Sequence, residues 1–316
     1  MNVSAPAPIA VVGNINLDVK TSPLPAGPAV LADGETSVGE IYETLGGGGA
    51  NTAAAAARMG GHVHFCGAIG KDALAKRLAD FLDRCAVKPH LAAKDVPTGR
   101  SLALNWSHHQ RHFLSCLPSS LLLQRADIDI ASLAAAGCRH LYRADIWFAP
   151  GMIADGNLDL LRDARRHGMR TSIDVNWDPH WQAGRDNPRV AERIEHVARL
   201  LPETTFVHGN QRELCFFAGA TTLPDASTWF FSRGAATLIV HLGAEGSAAI
   251  SADGSVIRAP AEPIDHVVSE TATGDVFTAA FLLRDGMDLK KRLAESNAAA
   301  ASHMSGRADY LPRLDS

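Results

Sequence analysis

A row of small residues ends in an acidic residue late in the chain, where the sequence reads ETATGD from 270 to 275 and an apolar stretch, 276–283, follows. Small residues directly before a helix let backbone N–H groups converge on an anion, and the helix dipole favours negative charge at that end. Asp275 in the first turn would then lie beside a bound phosphate, where its carboxylate could accept the proton of an attacking hydroxyl. An aspartate also stabilises a helix N-terminus without doing any chemistry, so this segment alone leaves both interpretations open.

Four consecutive glycines at 46–49 precede Asn51 and an alanine-rich helix that we predict over 51–59. Four glycines in a row cost backbone entropy on folding, so we expect a close approach of the backbone to a ligand rather than a convenient turn. The dinucleotide fingerprint G-x-G-x-x-G is not properly formed here, and the phosphate loop G-x-x-x-x-G-K-[ST] does not occur in the chain. The glycines therefore indicate a ligand site of another type.

A third polar segment, GNINLD at 13–18, ends the first predicted strand, 9–13. In an extended segment Asn16 and Asp18 lie on the same side. An amide and a carboxylate so placed could hydrogen-bond vicinal hydroxyls of a ligand. Because Asn and Asp also suit turns, simple turn chemistry is the alternative.

The composition is that of a soluble globular protein, with 46% apolar and 20% charged residues. The net charge is −4 and the basic residues are scattered, so we expect no nucleic-acid partner. No stretch approaches the roughly 18 apolar residues of a membrane helix, so we expect no membrane partner. The first residues resemble a buried strand rather than a signal peptide, and five scattered cysteines suit free thiols in a reducing cytosol. These features predict a cytoplasmic protein.

Regular alternation of strands and helices must position the three polar segments. The predicted strands after the first are 63–69, 140–142, 170–174, 205–207, 237–242, 247–250 and 256–259, and the predicted helices include 72–85, 152–167, 190–201, 274–284 and 289–304. Repeated strand–helix units predict a mostly parallel sheet with helices on both faces. Strands without helices, within 17–45 and at 101–105 and 112–116, predict a small attached sheet.

Together these segments resemble the PfkB-type, or ribokinase-like, carbohydrate kinase family. The resemblance spans about 9 to 312 and rests on six motifs in order, which are GNINLD, GGGGAN, DVN, NQRE, LGAEG and TATGD. It implies an α/β fold, namely a ribokinase-like three-layer α/β/α arrangement with a mostly parallel central sheet and a small β-sheet lid. We expect residues 1–316 to form a single kinase domain, with lid segments inserted at about 17–45 and 98–117.

The resemblance also implies a function: an ATP-dependent kinase that phosphorylates a hydroxyl of a sugar-like substrate, with ATP and Mg²⁺ as cofactors and Asp275 as the general base. The matching positions give a catalytic turn of Ala272, Thr273, Gly274 and Asp275, a sugar site of Asn16, Asp18, Gly47, Gly48 and Asn51, and a nucleotide side of Asn210, Glu213, Gly243, Gly246 and Asn297. Glu213 is expected to hold Mg²⁺ through water. A homodimer formed through the lid is the expected assembly.

The chain departs from the family pattern D-T-x-G-A-G-D in its catalytic turn. Ala272 replaces the first glycine, which is tolerable where φ is negative, and Thr273 replaces a small residue and would narrow the phosphate site. Ser269 replaces an aspartate of the monovalent-cation loop, so we expect little activation by K⁺. Gly48 stands where ribokinase itself has lysine, and Asp178 where arginine is frequent. The alternatives are a nucleoside kinase of the same fold and a catalytically silent sugar- or nucleoside-binding homologue.

Overall fold

Two β-sheets organise the chain in the computed structural model, which describes residues 7–24, 33–106, 111–268 and 271–314. Nine strands of the described chain form the large sheet: β1 Ile9–Val12, β4 Val63–Ile69, β5 Val87–Ala93, β8 His140–Arg143, β9 Arg170–Asp174, β10 Phe206–Asn210, β11 Thr237–His241, β12 Ser247–Ser251 and β13 Val256–Ala259. Their order is β13-β12-β11-β10-β9-β8-β1-β4-β5, and only the pairings β11–β12 and β12–β13 are antiparallel. The mostly parallel sheet that the sequence predicts is therefore confirmed.

Helices cover both faces of this sheet. They are α1 Gly48–Arg58, α2 Ala73–Arg84, α3 Ile130–Ala135, α4 Asn157–Arg166, α5 Pro188–Ala198, α6 Gln211–Ala218, α7 Leu223–Ser232, α8 Thr273–Leu283 and α9 Leu289–Met304. Successive residues of β1 point to opposite faces, so Ile9 and Val11 join one apolar core while Ala10 and Val12 join another. The predicted three-layer arrangement follows from these two cores.

The second sheet, called the lid sheet below, has the order β3-β2-β6-β7. Its strands are β2 Asn16–Thr21, β3 Ile41–Gly46, β6 Arg100–Asn105 and β7 Arg111–Cys116. These strands come from the two predicted lid segments, of which residues 25–32 and 107–110 lie outside the described residues. Cross-strand register divides the sheet into an inner face that carries Asn16, Asp18 and Ser101 and an outer face that carries Leu102 and Leu114.

Several elements differ from the prediction. α1 begins at Gly48 rather than at 51, so the glycine run enters the helix itself. β10 extends to Asn210 rather than ending at 207. β5 was not predicted; Pro89 within β5 argues against a strand, and it is tolerated because β5 is the edge of the sheet. No bounds were predicted for α3, α6 and α7, which lie between predicted strands. No helix of the described residues is long and apolar enough to cross a membrane.

Candidate active site

A cavity of about 420 Å³ lies at the carboxyl ends of the parallel strands, beneath the lid sheet. Asn14 follows β1, Asp145 follows β8, Asp174 ends β9, Asn210 ends β10 and His241 ends β11, and all five line the cavity. In open parallel sheets this edge is where ligands bind, because the ends of several strands converge there. The cavity is therefore the candidate active site.

The predicted catalytic turn forms one wall of this cavity. Ala272, Thr273, Gly274 and Asp275 all line it, and α8 begins at Thr273 with Ala272 as its N-cap residue. Ala272 has φ 60° and ψ 16°, so alanine replaces the family's glycine at a position where φ is positive, contrary to the expectation of a negative φ. An alanine in the left-handed region costs roughly 1–2 kcal/mol compared with the right-handed region, and the turn keeps this strained conformation. Backbone N–H groups at the start of a helix are of the kind that binds anions.

Asp275 is held against the other glycine-rich helix. Its Oδ2 accepts a hydrogen bond of 3.3 Å from Asn51 Nδ2. Burial raises the pKa of Asp275 well above its ordinary value, the negative charges of Asp145 and Asp174 raise it further, and the Asn51 hydrogen bond lowers it. A carboxylate with a raised pKa at an anion-binding helix end is suited to accept a proton.

Asn16 and Asp18 form the lid-sheet wall of the cavity. Both belong to β2, and Asn16 Nδ2 donates to Asp18 Oδ1 at 2.7 Å, so the predicted same-side arrangement is confirmed and the turn alternative is wrong. Asn16 Nδ2 also lies 3.3 Å from Ser101 Oγ, which is 2.9 Å from Ser115 Oγ. Burial raises the pKa of Asp18 to about 6, and the positive charge of Lys20 opposes the shift. The wall offers a row of polar groups to a polyhydroxy ligand.

Contacts within the protein account for part of the glycine run, and the predicted close approach of the backbone to a ligand stays a prediction for Gly47 and Gly48. A Cβ on Gly49 would lie 2.6 Å from Gly13 Cα, and a Cβ on Gly46 would lie 2.2 Å from Asp18 Oδ1. Gly47, the N-cap of α1, has φ 93°, which favours glycine. Gly47 and Gly48 line the cavity, as does Asn51.

Asp145 is a site residue that the motifs did not reveal. It is buried with φ 53°, and its carboxylate accepts hydrogen bonds from the backbone N–H groups of Asn14 at 2.8 Å, Gly48 at 3.2 Å and Gly49 at 2.8 Å. It thereby joins the end of β1 to the start of α1. Burial raises the pKa of Asp145, and the three N–H groups oppose that shift. Its position directly after a buried strand is a signal that could have found it.

Asn210 and Glu213 bind each other's backbone. Glu213 N donates to Asn210 Oδ1 at 2.9 Å and Asn210 N donates to Glu213 Oε2 at 2.8 Å, which forms a capping box at the start of α6. Burial raises the pKa of Glu213, and the nearby charge of Asp174 raises it further. No cluster of three or more acidic, histidine or cysteine side chains in the described chain could hold a metal directly. Paired carboxylates with raised pKa values do fit a hydrated Mg²⁺ nearby, because a cation relieves their repulsion.

Three predicted nucleotide residues lie away from the cavity lining. Gly243 and Gly246 form the turn after β11, with φ 60° and 91°. Asn297 Nδ2 donates to the carbonyls of Ala259 and Pro260 at 3.0 and 2.9 Å, where the chain leaves β13. Their roles toward a nucleotide stay predictions.

Two departures from the family pattern have different outcomes. Ser269, on which the K⁺ prediction depends, lies outside the described residues. Asp178 is buried and forms an ion pair of 2.6 Å with Arg193, and it also accepts a hydrogen bond from His180 N. Asp178 therefore has a structural role in place of the arginine that is frequent there.

Known proteins resemble this chain over almost its whole length. A family model described as pfkB family carbohydrate kinase matches residues 8–310. A ribokinase from Arabidopsis thaliana is 28% identical over 291 residues, which make up 87% of this chain and 69% of the relative. An aminoimidazole riboside kinase from Salmonella typhimurium is 27% identical over 242 residues, 75% of this chain and 72% of the relative.

A solved structure agrees with the fold. A candidate ribokinase II from E. coli, in complex with ATP and Mg²⁺, has a TM-score of 0.79 to this chain at 18% identity, with coverage of 95% of this chain and 93% of the other. The likeness confirms the ribokinase-like fold with a small separate sheet. The family expected from six motifs is confirmed by the match over residues 8–310. The chain belongs to the pfkB family of carbohydrate kinases and is a phosphotransferase with an alcohol group as acceptor.

Proposed function

We propose that this protein transfers the γ-phosphate of ATP to a hydroxyl of a sugar or sugar-like substrate, with Asp275 as the general base. The observation that carries the proposal is the place of Asp275. It lies in the first turn of α8, in one cavity with both the anion-binding turn and the Asn16–Asp18 wall. A phosphate at the helix end and a hydroxyl on the polar wall would meet at this carboxylate.

The protein's own groups account for the main steps of in-line transfer. Asp275 takes the hydroxyl proton as the oxygen attacks, and Asn51 orients its carboxylate. Backbone N–H groups of the Ala272–Asp275 turn donate hydrogen bonds that stabilise the negative charge developing on the transferred phosphoryl group. Mg²⁺ held through water by Glu213 would add positive charge beside the phosphates. The lid sheet closes over the acceptor and excludes water, which would compete as acceptor.

A screen for ADP release tests this function directly. Purified protein with Mg²⁺ and ATP is assayed against ketoses, aldoses, keto-sugar acids and nucleosides, with Asp275→Asn as the matched control. Loss of the base should lower turnover on the best acceptor by roughly 10²–10⁴-fold and leave ATP affinity nearly unchanged. Turnover of the variant within about threefold of wild type would contradict the assignment of Asp275.

A nucleoside kinase is the second candidate, and the likeness to an aminoimidazole riboside kinase supports it. A ribosyl group presents the same hydroxyls to Asn16 and Asp18 as a free sugar does. A higher kcat/KM for a nucleoside than for any free sugar in the screen would favour this candidate. No ADP release with any acceptor, together with measurable binding of a sugar or nucleoside, would favour a catalytically silent homologue.

The outer face of the lid sheet supports the expected homodimer. Ile41, Leu102 and Leu114 are 64%, 37% and 53% exposed there, and a second lid sheet could cover them. Sedimentation of wild type and Leu114→Asp should show a dimer and a monomer respectively.

The cytoplasmic location and the weak K⁺ response stay predictions. All five cysteines are free thiols, which suits a cytoplasmic location.

A further inference from the structure

His241 ends β11 at the phosphate end of the cavity, next to the catalytic turn. A Cβ placed on Gly274 would lie 3.6 Å from His241 Nδ1 and 3.7 Å from its Cε1, so this edge of the ring faces the turn that precedes Asp275. The ring packs on Phe277 of α8 with centroids 4.5 Å apart, which fixes its orientation. No motif of the sequence singled out this residue.

No described residue supplies fixed positive charge to this end of the cavity. Among the described residues that line it, Arg111 is the only lysine or arginine, and it belongs to lid strand β7 at the opposite, acceptor end. This end instead carries the carboxylates of Asp145 and Asp174, at or just after strand ends, and of Glu213 in the first turn of α6. A polyphosphate placed here needs hydrogen-bond donors besides the metal and the helix N–H groups.

The surroundings of the imidazole decide which nitrogen donates. Nε2 is buried and has no hydrogen-bond partner in the described part of the chain. Either tautomer leaves Nε2 unpaired, but only the tautomer with its proton on Nδ1 presents a donor to the cavity, and a bound anion would select that tautomer. Burial lowers the pKa of His241 to about 4, so the ring is neutral at physiological pH. Nδ1–H then faces Gly274 and the space in front of the catalytic turn.

We infer that His241 binds a β- or γ-phosphate oxygen of the nucleotide through Nδ1–H and so takes the place of a basic side chain. The inference rests on the proposed kinase function and adds a phosphate-binding residue to it. A hydrogen bond to a charged group contributes about one to two decades of affinity. This gain in affinity applies only to nucleotides whose phosphates reach the catalytic turn.

The test compares ligands that differ in phosphate number. Calorimetry with Mg²⁺ measures the affinities of AMP and of a non-hydrolysable ATP analogue for wild type, His241→Ala and His241→Phe. The phenylalanine keeps the ring against Phe277 but lacks the N–H, so it serves if the alanine variant does not fold. We expect affinity for the ATP analogue to fall about ten- to a hundredfold and affinity for AMP to change less than about threefold.

His208 provides the matched control. It lies on the neighbouring strand β10, is fully buried with both ring nitrogens unpaired, and packs edge-on to Phe281, but it does not line the cavity. His208→Phe should alter the melting temperature without changing the ratio of the two affinities. Equal losses for AMP and the ATP analogue in the His241 variants, or no loss, would overturn the inference. Failure of the wild type to bind the ATP analogue would instead refute the proposed kinase function.

Discussion

Asn51 Nδ2 donates a hydrogen bond of 3.3 Å to Asp275 Oδ2 and joins two helix N-termini that are 224 residues apart in the chain. Asn51 lies in the first turn of α1 and Asp275 in the first turn of α8. Both helices begin with small residues, so their ends approach one another closely at the cavity. The proposed base is thus oriented by a residue that also lies at the acceptor side.

Replacing Asn51 by alanine should change the pH profile as well as the rate. The hydrogen bond favours the charged carboxylate and lowers the pKa of Asp275, so its loss raises that pKa. A base must be deprotonated to act, and the acid limb of kcat/KM should therefore move to higher pH. We expect turnover at neutral pH to fall about tenfold. An acid limb that stays in place, measured across pH 5–9 with the best acceptor, would contradict this role for Asn51.

Asp18→Ala should weaken acceptor binding and leave ATP affinity nearly unchanged. A charged hydrogen-bond partner contributes roughly 1.5–3 kcal/mol, or about one to two decades in affinity. Because the pKa of Asp18 is about 6, the wild-type protein should bind the acceptor more tightly as pH rises through that value. Val19→Ala, on the opposite face of the same strand, is the control. Calorimetric titration that gives the same acceptor affinity for both variants would remove Asp18 from the site.

Asp145→Ala should destabilise the fold and disturb the acceptor site together. The substitution leaves the N–H groups of Asn14, Gly48 and Gly49 without their acceptor. An unsatisfied buried donor costs about 1–3 kcal/mol, so we expect a loss of at least about 3 kcal/mol in the free energy of unfolding. Urea unfolding measures it, with Asp155→Ala, an exposed aspartate paired to Arg199, as the control. Equal midpoints for the two variants would show that Asp145 does not hold these segments together.

The layered fold could be predicted because its strands and helices carry local signals. Buried parallel strands such as β4 and β11 are short apolar runs, and glycine or aspartate marks many helix starts. β5 escaped prediction because Pro89 and polar residues interrupt its pattern at the sheet edge, where water replaces a missing neighbour. The left-handed backbone of Ala272 also escaped, since alanine gives no sign of a positive φ.

The candidate site was predictable only in the parts that belong to short motifs. Asp275 and the Asn16–Asp18 pair each lie in one segment whose geometry is set locally by a helix start or a strand. Asp145 and His241 reach the cavity through the strand order β11-β10-β9-β8-β1, which no local pattern specifies. Asp145 accepts a hydrogen bond from the backbone N–H of Asn14, 131 residues away, so its place after a strand could mark it as a candidate but could not identify its partners.

Crowded carboxylates should make the ligand-free protein less stable as pH rises. Burial and the charge of Asp174 raise the pKa of Glu213 from 4.5 to about 8, so the folded state holds a proton that the unfolded chain has already released. Below about pH 4.5 Glu213 is protonated in both the folded and the unfolded state, so it does not lower the free energy of unfolding. Between that pH and about 8 the free energy of unfolding should fall, and above 8 the protein bears the full loss of stability from burying the charged Glu213 carboxylate.

Glu213→Gln isolates this effect, because the amide stays neutral at every pH and its carbonyl can still accept from Asn210 N. Wild type and variant should melt at similar temperatures at pH 4.5, whereas at pH 8.5 the variant should be more stable by about 1–3 kcal/mol, a range reduced for partial solvent exposure. Millimolar Mg²⁺ should narrow the difference, since a cation offsets the same repulsion. Glu245→Gln, which removes an exposed carboxylate in the turn after β11, controls for net charge. If the Glu213→Gln variant were as stable as the wild type at both pH values, Glu213 would not lie in a site that favours its protonated form.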